Sequence, residues 1–462
     1  MTPAPRGRWI WGLALACFVL AAATGAYYRF ALITPLPGVL DNVRHAHSHL
    51  MFFSWVTPPL VLLIGSELRR RGARPRGFAL AALLAAACGL LTYPPFLASG
   101  YQLTPVGERL LPLSMMGSGV NGLVWYLFML LYLVAARGVR RTAPVRLFDV
   151  AVASMLASTV AIAALAYLGA SGGLARPLML ALVDWYLTLF ADGWFGLAVL
   201  GLAAAQAPAG RVARWPVGAL AWLLGAAMLA RAVGRYGHDA LGLAGAAPLE
   251  GVGAGVAAVL WVALVVAVWP AAGTGAGPVG GAAPAPDAAG VAPRAVVGAA
   301  RLLRQLALAL LALKGGVELV GALPGAAAWL AQPAFRVLFL HAFLLGAVSF
   351  MLIAAMRAAL GPGAFRGAAW FALAVGVMVA ALVPLTPLWP RALAGAWVLR
   401  AAAYTSLGPI LVALAALVRL DLGEASTSSR WRVARPSSRM TTSRGRDSAH
   451  ARWTTPEKGS PT

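Results

Sequence analysis

The stretch HAHSHLMFFSWVTPPLVLLIGS, residues 45–66, decides how this chain is read. After its three histidines it stays apolar for the length of a bilayer crossing and meets no acid or base until Glu67. A hydrocarbon core roughly 30 Å thick is spanned by about 20 apolar residues of helix. An imidazole in lipid is costly unless it ligates, pairs or faces a cavity, so His45, His47 and His49 read as functional residues. Pro58-Pro59 inside the same run removes two backbone donors and predicts a kink or a freed carbonyl.

The pattern repeats outward from this stretch. The 462-residue chain is 61% hydrophobic and only 11% charged. Soluble domains carry about 25% charged residues. Apolar runs at 9–28, 48–66, 77–97, 118–137, 148–169, 178–206, 215–236, 250–270, 297–321, 335–356, 368–388 and 396–418 predict an all-α, polytopic membrane protein with about twelve helices. The shorter, alternating segments of a transmembrane β-barrel are absent from the sequence.

A net charge of +23 raises nucleic acid as a partner, but its distribution argues for a lipid bilayer instead. Arg69, Arg70, Arg71, Arg74 and Arg76 crowd the loop at 67–76, and Arg137, Arg140, Arg141 and Arg146 the loop at 137–147. Both connect an even to an odd span, and Arg6 and Arg8 precede the first. The positive-inside rule therefore predicts a plasma (inner) membrane protein with both termini cytoplasmic. No small-residue cleavage site follows the first apolar run, which reads as an uncleaved helix. A Gly/Ala/Pro linker is expected over 271–293. The transmembrane bundle is expected to occupy 1–420 and a disordered, basic cytoplasmic tail 421–462. Cys17 and Cys88 fall in separate spans without ligand spacing and read as buried small hydrophobes.

A fourth histidine, His341, lies about two turns into the tenth run. Even-numbered spans start outside, so His341 and the histidine run sit at similar depth in the outer half of the bilayer. Two imidazoles on different helices at one depth suit a b-type haem. Helical spacing lets His45 and His49 share a face while His47 points nearly opposite, so all three cannot face the bundle together.

HSHLMFFSWVTPPL, residues 47–60, resembles the second helix of heme-copper oxidase subunit I, the catalytic subunit of cytochrome c and quinol oxidases. That family carries a low-spin haem ligand there, a Met four residues on and a Pro eleven residues on, and Met51 and Pro58 keep those offsets from His47. His-x-His-Leu followed by Trp-Val is also similar to shorter, divergent members, in which His49 is an equal candidate. His341 resembles the ligand of the family's tenth helix. The resemblance implies one b-type haem, with His47, His49, His45 and His341 as candidate ligands. It also implies an electron donor such as cytochrome c or a quinol, or other membrane subunits, as partners. It does not extend to copper, whose ligands in the family are a histidine on helix six and a histidine pair on helix seven. Span six here has no histidine and span seven only His238. Catalysis thus stays open, and any remnant of an oxygen-reducing centre is expected near Thr188, Asp192 and His238.

Charges within spans complete the candidate set. Lys314 and Glu318 are an i,i+4 pair in span nine, and Asp184 and Asp192 lie two turns apart on span six. They read as a proton or polar network, or as paired charges that fix packing. Arg336 and Arg44, with Arg235 and Arg400, are candidate partners for haem propionates, or interfacial arginines that snorkel. Two rival functions remain. One is a secondary transporter built on the charged residues; the other is a haem-free structural relative.

Overall fold

The computed structural model describes residues 5–428 apart from 172, 208, 270–293, 324, 331 and 362. The linker expected over 271–293 and the tail beyond 428 lie outside the described residues. The chain divides into two units, Met1–Leu420 and Asp421–Thr462. The first is a helical bundle whose helices follow the apolar runs of the sequence. They are α1 (Gly7–Phe30), α2 (Leu40–Arg70), α3 (Phe78–Ser99), α4 (Leu113–Ala136), α5 (Ala143–Gly169) and α6 (Arg176–Gln206). Next come α7 (Val217–Ala240), α8 (Ala244–Val268) and α9 (Arg294–Gly321). The last are α10 (Pro333–Leu360), α11 (Ala368–Leu385) and α12 (Ala396–Leu420).

Eleven of these helices are long and apolar enough to cross a membrane, which makes the chain an all-α, multi-pass membrane protein. The exception is α9. Arg301, Arg304, Lys314 and Glu318 dilute its hydrophobicity. A short hairpin of β1 (Thr104–Val106) and β2 (Arg109–Leu111) turns at Gly107 between α3 and α4, a feature the apolar pattern does not announce.

The second helix begins two turns earlier than the apolar run at 48–66 implied. It starts after Pro37-Gly38, with Gly38 at φ +104°, so all three histidines are helical. Its first turns carry Asp41, Asn42 and Arg44, which hydropathy does not register. An acid in the first turn is nevertheless favourable at a helix N-terminus.

Four helices contain wide π turns: Met51–Val56 in α2, Thr188–Gly196 in α6, Tyr236–Ala240 in α7 and His341–Val348 in α10. In α2 the cause is local. Pro58 and Pro59 have no N–H to offer the preceding turn, and Thr57 Oγ1 donates 2.8 Å to Phe52 O instead. In α10, Ser349 Oγ donates 2.9 Å to Leu344 O, five residues back. Such turns recur at functional sites.

Packing is close where side chains are small. A Cβ on Gly253 of α8 would come within 2.6 Å of the Arg231 backbone nitrogen of α7, so glycine there sets the approach of the two helices. The core gathers around Trp55 of α2, Trp194 of α6 and Trp261 of α8, all fully buried. At the arginine-loop end, Glu67 is buried and bonded by Arg70 and Arg71. There Asp149 accepts from Tyr132 at 2.7 Å and pairs with Arg141 at 3.1 Å. The opposite end carries the hairpin and the histidines.

Candidate functional site: a histidine pair and a buried ion-pair network

The structure brings His47 and His341 together. Their ring centroids are 6.4 Å apart and their planes lie within 12° of each other. Helices α2 and α10 run in the same direction, and a second contact holds their register. Trp55 Nε1 donates 3.0 Å to Ser349 Oγ in a fully buried position. Trp55 lies eight residues beyond His47, and Ser349 eight residues beyond His341. Both eight-residue intervals include π turns, so the helices advance in step from the histidines to this hydrogen bond.

Each imidazole is oriented by a backbone carbonyl. His47 Nδ1 lies 2.7 Å from Ala21 O of α1, and His341 Nδ1 lies 2.7 Å from Val337 O one turn back. A carbonyl only accepts, so both Nδ1 atoms carry the proton. The Nε2 of each ring then holds a free lone pair, the state of a metal-ligating histidine. Gly25 makes the approach possible, since a Cβ there would meet His47 Cε1 at 2.9 Å and Nδ1 at 3.0 Å. Arg29 lies one turn further along α1.

The other two histidines of the run lie on the opposite face, as their spacing required. His49 stacks on Phe96 at 3.9 Å and packs against Phe53 at 5.1 Å. Its Nδ1 donates 2.9 Å to His45 O, and its Nε2 accepts from Tyr101 Oη at 3.3 Å. The His45 ring sits edge-on to Tyr101, 4.6 Å between centroids. Tyr101 lies in the loop after α3 and is about half exposed.

The charged candidates form a separate network among α6, α7, α8 and α9. Lys314 Nζ sits 2.8 Å from Glu318 Oε1 and 3.3 Å from Asp192 Oδ1, with its side chain 3% exposed. Aromatic rings of Trp261, Phe339 and Phe343 surround the ammonium at 4.7, 5.7 and 5.4 Å. Asp184 instead pairs with Arg235 at 3.1 Å and Arg231 at 4.0 Å. Arg235 reaches Asp239 at 3.3 Å, and His238 Nδ1 lies 2.8 Å from the same carboxylate. Pairing and cation–π contact lower the cost of these charges in lipid. Thr188 is buried in the π turn of α6, while His238 is half exposed.

Arg44 pairs with Asp41 at 3.2 Å, both exposed, and Arg336 and Arg400 are exposed as well. The arginine one turn beyond Gly25, which packs on His47, is Arg29, and sequence reasoning passed it over. Its position at the end of span one, in Tyr27-Tyr28-Arg29-Phe30, is the available signal. Gly25 and the Ala21 carbonyl carry no signal until α1 is known to lie against α2. Among the described residues, no three or more His, Cys, Asp or Glu side chains gather as a metal-ion site. Compared with known families and curated proteins, the chain matches none.

Proposed function

We propose that this chain is a divergent heme-copper-oxidase-like membrane protein that holds one b-type haem between His47 and His341 for electron transfer or gas handling. The observation that carries the reading is the geometry of the two rings. Two imidazoles sharing one metal would each need a metal–nitrogen bond of about 2.0 Å. With about 1.1 Å from each nitrogen to its ring centre, their centroids would then stand about 6.2 Å apart. The separation in the structure is 6.4 Å.

The residues present suit the group. Two imidazoles on neighbouring helices have tautomers fixed by carbonyls that leave each Nε2 lone pair unused, and carbonyl bonds of this kind raise ligand basicity. Arg29 supplies a cation for a propionate. A bound haem supplies one-electron chemistry, while the protein supplies orientation, a dry surround and local charge. His49 is assigned to packing in this reading, because its Nε2 is taken by Tyr101. All twelve helices cross the membrane, α9 with its charges paired inside the bundle, and the arginine loops and both termini are cytoplasmic. Cytochrome c, a quinol or another membrane subunit supplies the electron.

A transporter reading rests on the Lys314 network. Its charges are mutually paired, and Asp184 and Asp192 bind different cations rather than converging on one site. That arrangement favours a structural network.

The test is the optical spectrum of the purified protein from haem-replete cells, oxidised and then reduced with dithionite. A Soret band and a sharp low-spin b-type α-band are expected in the wild type and in His45→Ala and His49→Ala. Both bands are expected to be lost in His47→Ala and His341→Ala. Absence of Soret absorption from the wild type would sink the reading.

A further inference from the structure

A groove of about 250 Å³ runs between α11 and α12, with Arg366 and Arg419 at its rim. Small residues create it. Gly367, just before α11, lets the two helices touch, since a Cβ there would come within 2.9 Å of Val412 Cγ1. Ala415 and Ala416 line the groove from α12 and fill little of it. Leu411, Ala415 and Arg419 recur every four residues and so form one stripe along α12. From Leu411 to Arg419 that stripe is about 12 Å long. Leu411 and Trp370, which faces it from α11, are both exposed. Both helices are long and apolar enough to cross a membrane, so the groove opens onto lipid.

Charge marks one end of it. Arg366 stands two residues before α11 and Arg419 in the last turn of α12, so both guanidinium groups lie at the membrane edge. Arg8, in the first turn of α1, donates 3.4 Å to Leu420 O, which places this edge at the end of the bundle where α1 begins. No Asp or Glu occurs from 319 to 420. Among the described residues, neither Arg366 nor Arg419 pairs with a carboxylate. Two cations thus share one rim without an anion from the protein.

The turn into α11 is held so that Arg366 stays there. Phe365 has φ +56°, a left-handed conformation that a bulky residue rarely adopts. Buried Arg357 of α10 fixes it by donating 2.7 Å to Phe365 O and 3.1 Å to Ala364 O. The Phe365 ring is itself buried and meets Phe371 edge-on at 5.4 Å. Phe365 therefore turns inward, while the next residue, Arg366, stands exposed at the rim. Strain of this kind persists where the surroundings over-determine it, and it clusters at ligand clamps.

We propose that an anionic phospholipid seats between α11 and α12, with its phosphate on Arg366 and Arg419 and an acyl chain along the stripe from Ala415 to Leu411. Basic pockets between helices at the membrane edge suit anionic headgroups, and the planar fork of arginine matches phosphate oxygens. Trp370 is the interfacial aromatic beside the headgroup. The site is separate from the histidine pair and from the Lys314 network, and it does not depend on haem.

Native mass spectrometry tests it, on delipidated full-length protein in detergent titrated with phosphatidylglycerol or with phosphatidylcholine of the same acyl chains. The wild type is expected to hold its first phosphatidylglycerol about tenfold more tightly than phosphatidylcholine. Arg366→Gln combined with Arg419→Gln is expected to abolish that preference. Ala415→Leu keeps both arginines but fills the groove, so it is expected to weaken the same lipid. Arg74→Gln with Arg76→Gln, two exposed arginines of the loop at 67–76, is the control and should bind as wild type. Equal retention of the two lipids by the wild type, or a preference that survives loss of Arg366 and Arg419, would overturn the proposal. So would a preference untouched by Ala415→Leu, which would reduce the effect to surface charge. A dimer that Ala415→Leu dissociates would overturn it as well, by seating a second copy of the chain in the groove.

Discussion

Replacing Gly25 with alanine tests the histidine pair without touching either histidine. The added methyl would stand 2.9 Å from His47 Cε1 and 3.0 Å from Nδ1. Carbon atoms at optimal contact are about 3.5–4.0 Å apart, so the ring must withdraw by roughly 0.6–1 Å. Withdrawal stretches the 2.7 Å bond from Nδ1 to Ala21 O, which contributes about 1 kcal/mol. It also moves the ring away from the separation of 6.4 Å that suits a shared metal. Lost orientation of a ligating histidine costs about 10- to 100-fold in metal affinity. The assay is the rate at which haem leaves the purified protein for an excess of apomyoglobin, followed by absorbance. Gly25→Ala is expected to lose haem faster than the wild type by a factor in that range. Gly12→Ala, where the new methyl meets nothing within 4 Å, is the control and should behave as wild type. Unchanged retention in Gly25→Ala, in a protein as stable as the wild type, would refute the argument that this glycine seats a ligand.

Three further outcomes follow from the packing. Lys314→Met removes the buried cation between Asp192 and Glu318 and leaves two largely buried carboxylates without it. Breaking a buried pair from one side costs about 3–5 kcal/mol, so thermal unfolding in detergent should shift strongly downward, and adding Asp192→Asn with Glu318→Gln should recover part of the loss. Trp55→Phe deletes the donor to Ser349 that keeps α2 and α10 in register, at about 1 kcal/mol, and should lower thermal stability modestly. His49→Ala removes the stack on Phe96 and the bond from Tyr101, so it should reduce stability while leaving a haem spectrum unchanged.

Much of this arrangement is legible in the sequence, and the reasons are specific. The run at 45–49 fixes by spacing alone that His47 turns away from His45 and His49, because a helix places i and i+4 together. Lys314 and Glu318 are legible as a pair for the same reason. Asp192 as a second partner of Lys314 is not, because the contact joins α6 to α9 and depends on how the bundle closes. The division of the two aspartates between different cations is hidden for the same cause. Arg29 and Gly25 matter only through the packing of α1 on α2, and neither belongs to a local pattern. The early start of α2 escaped hydropathy because its first turns are polar.

The most direct test of the histidine pair is electron paramagnetic resonance of the oxidised protein at low temperature. Two imidazole ligands whose planes lie within 12° of each other should give a rhombic low-spin ferric spectrum with three resolved features. The signal should disappear in both His47→Ala and His341→Ala and persist in His49→Ala. Absence of any low-spin ferric signal from haem-replete protein, or one that survives loss of either His47 or His341, would contradict the account.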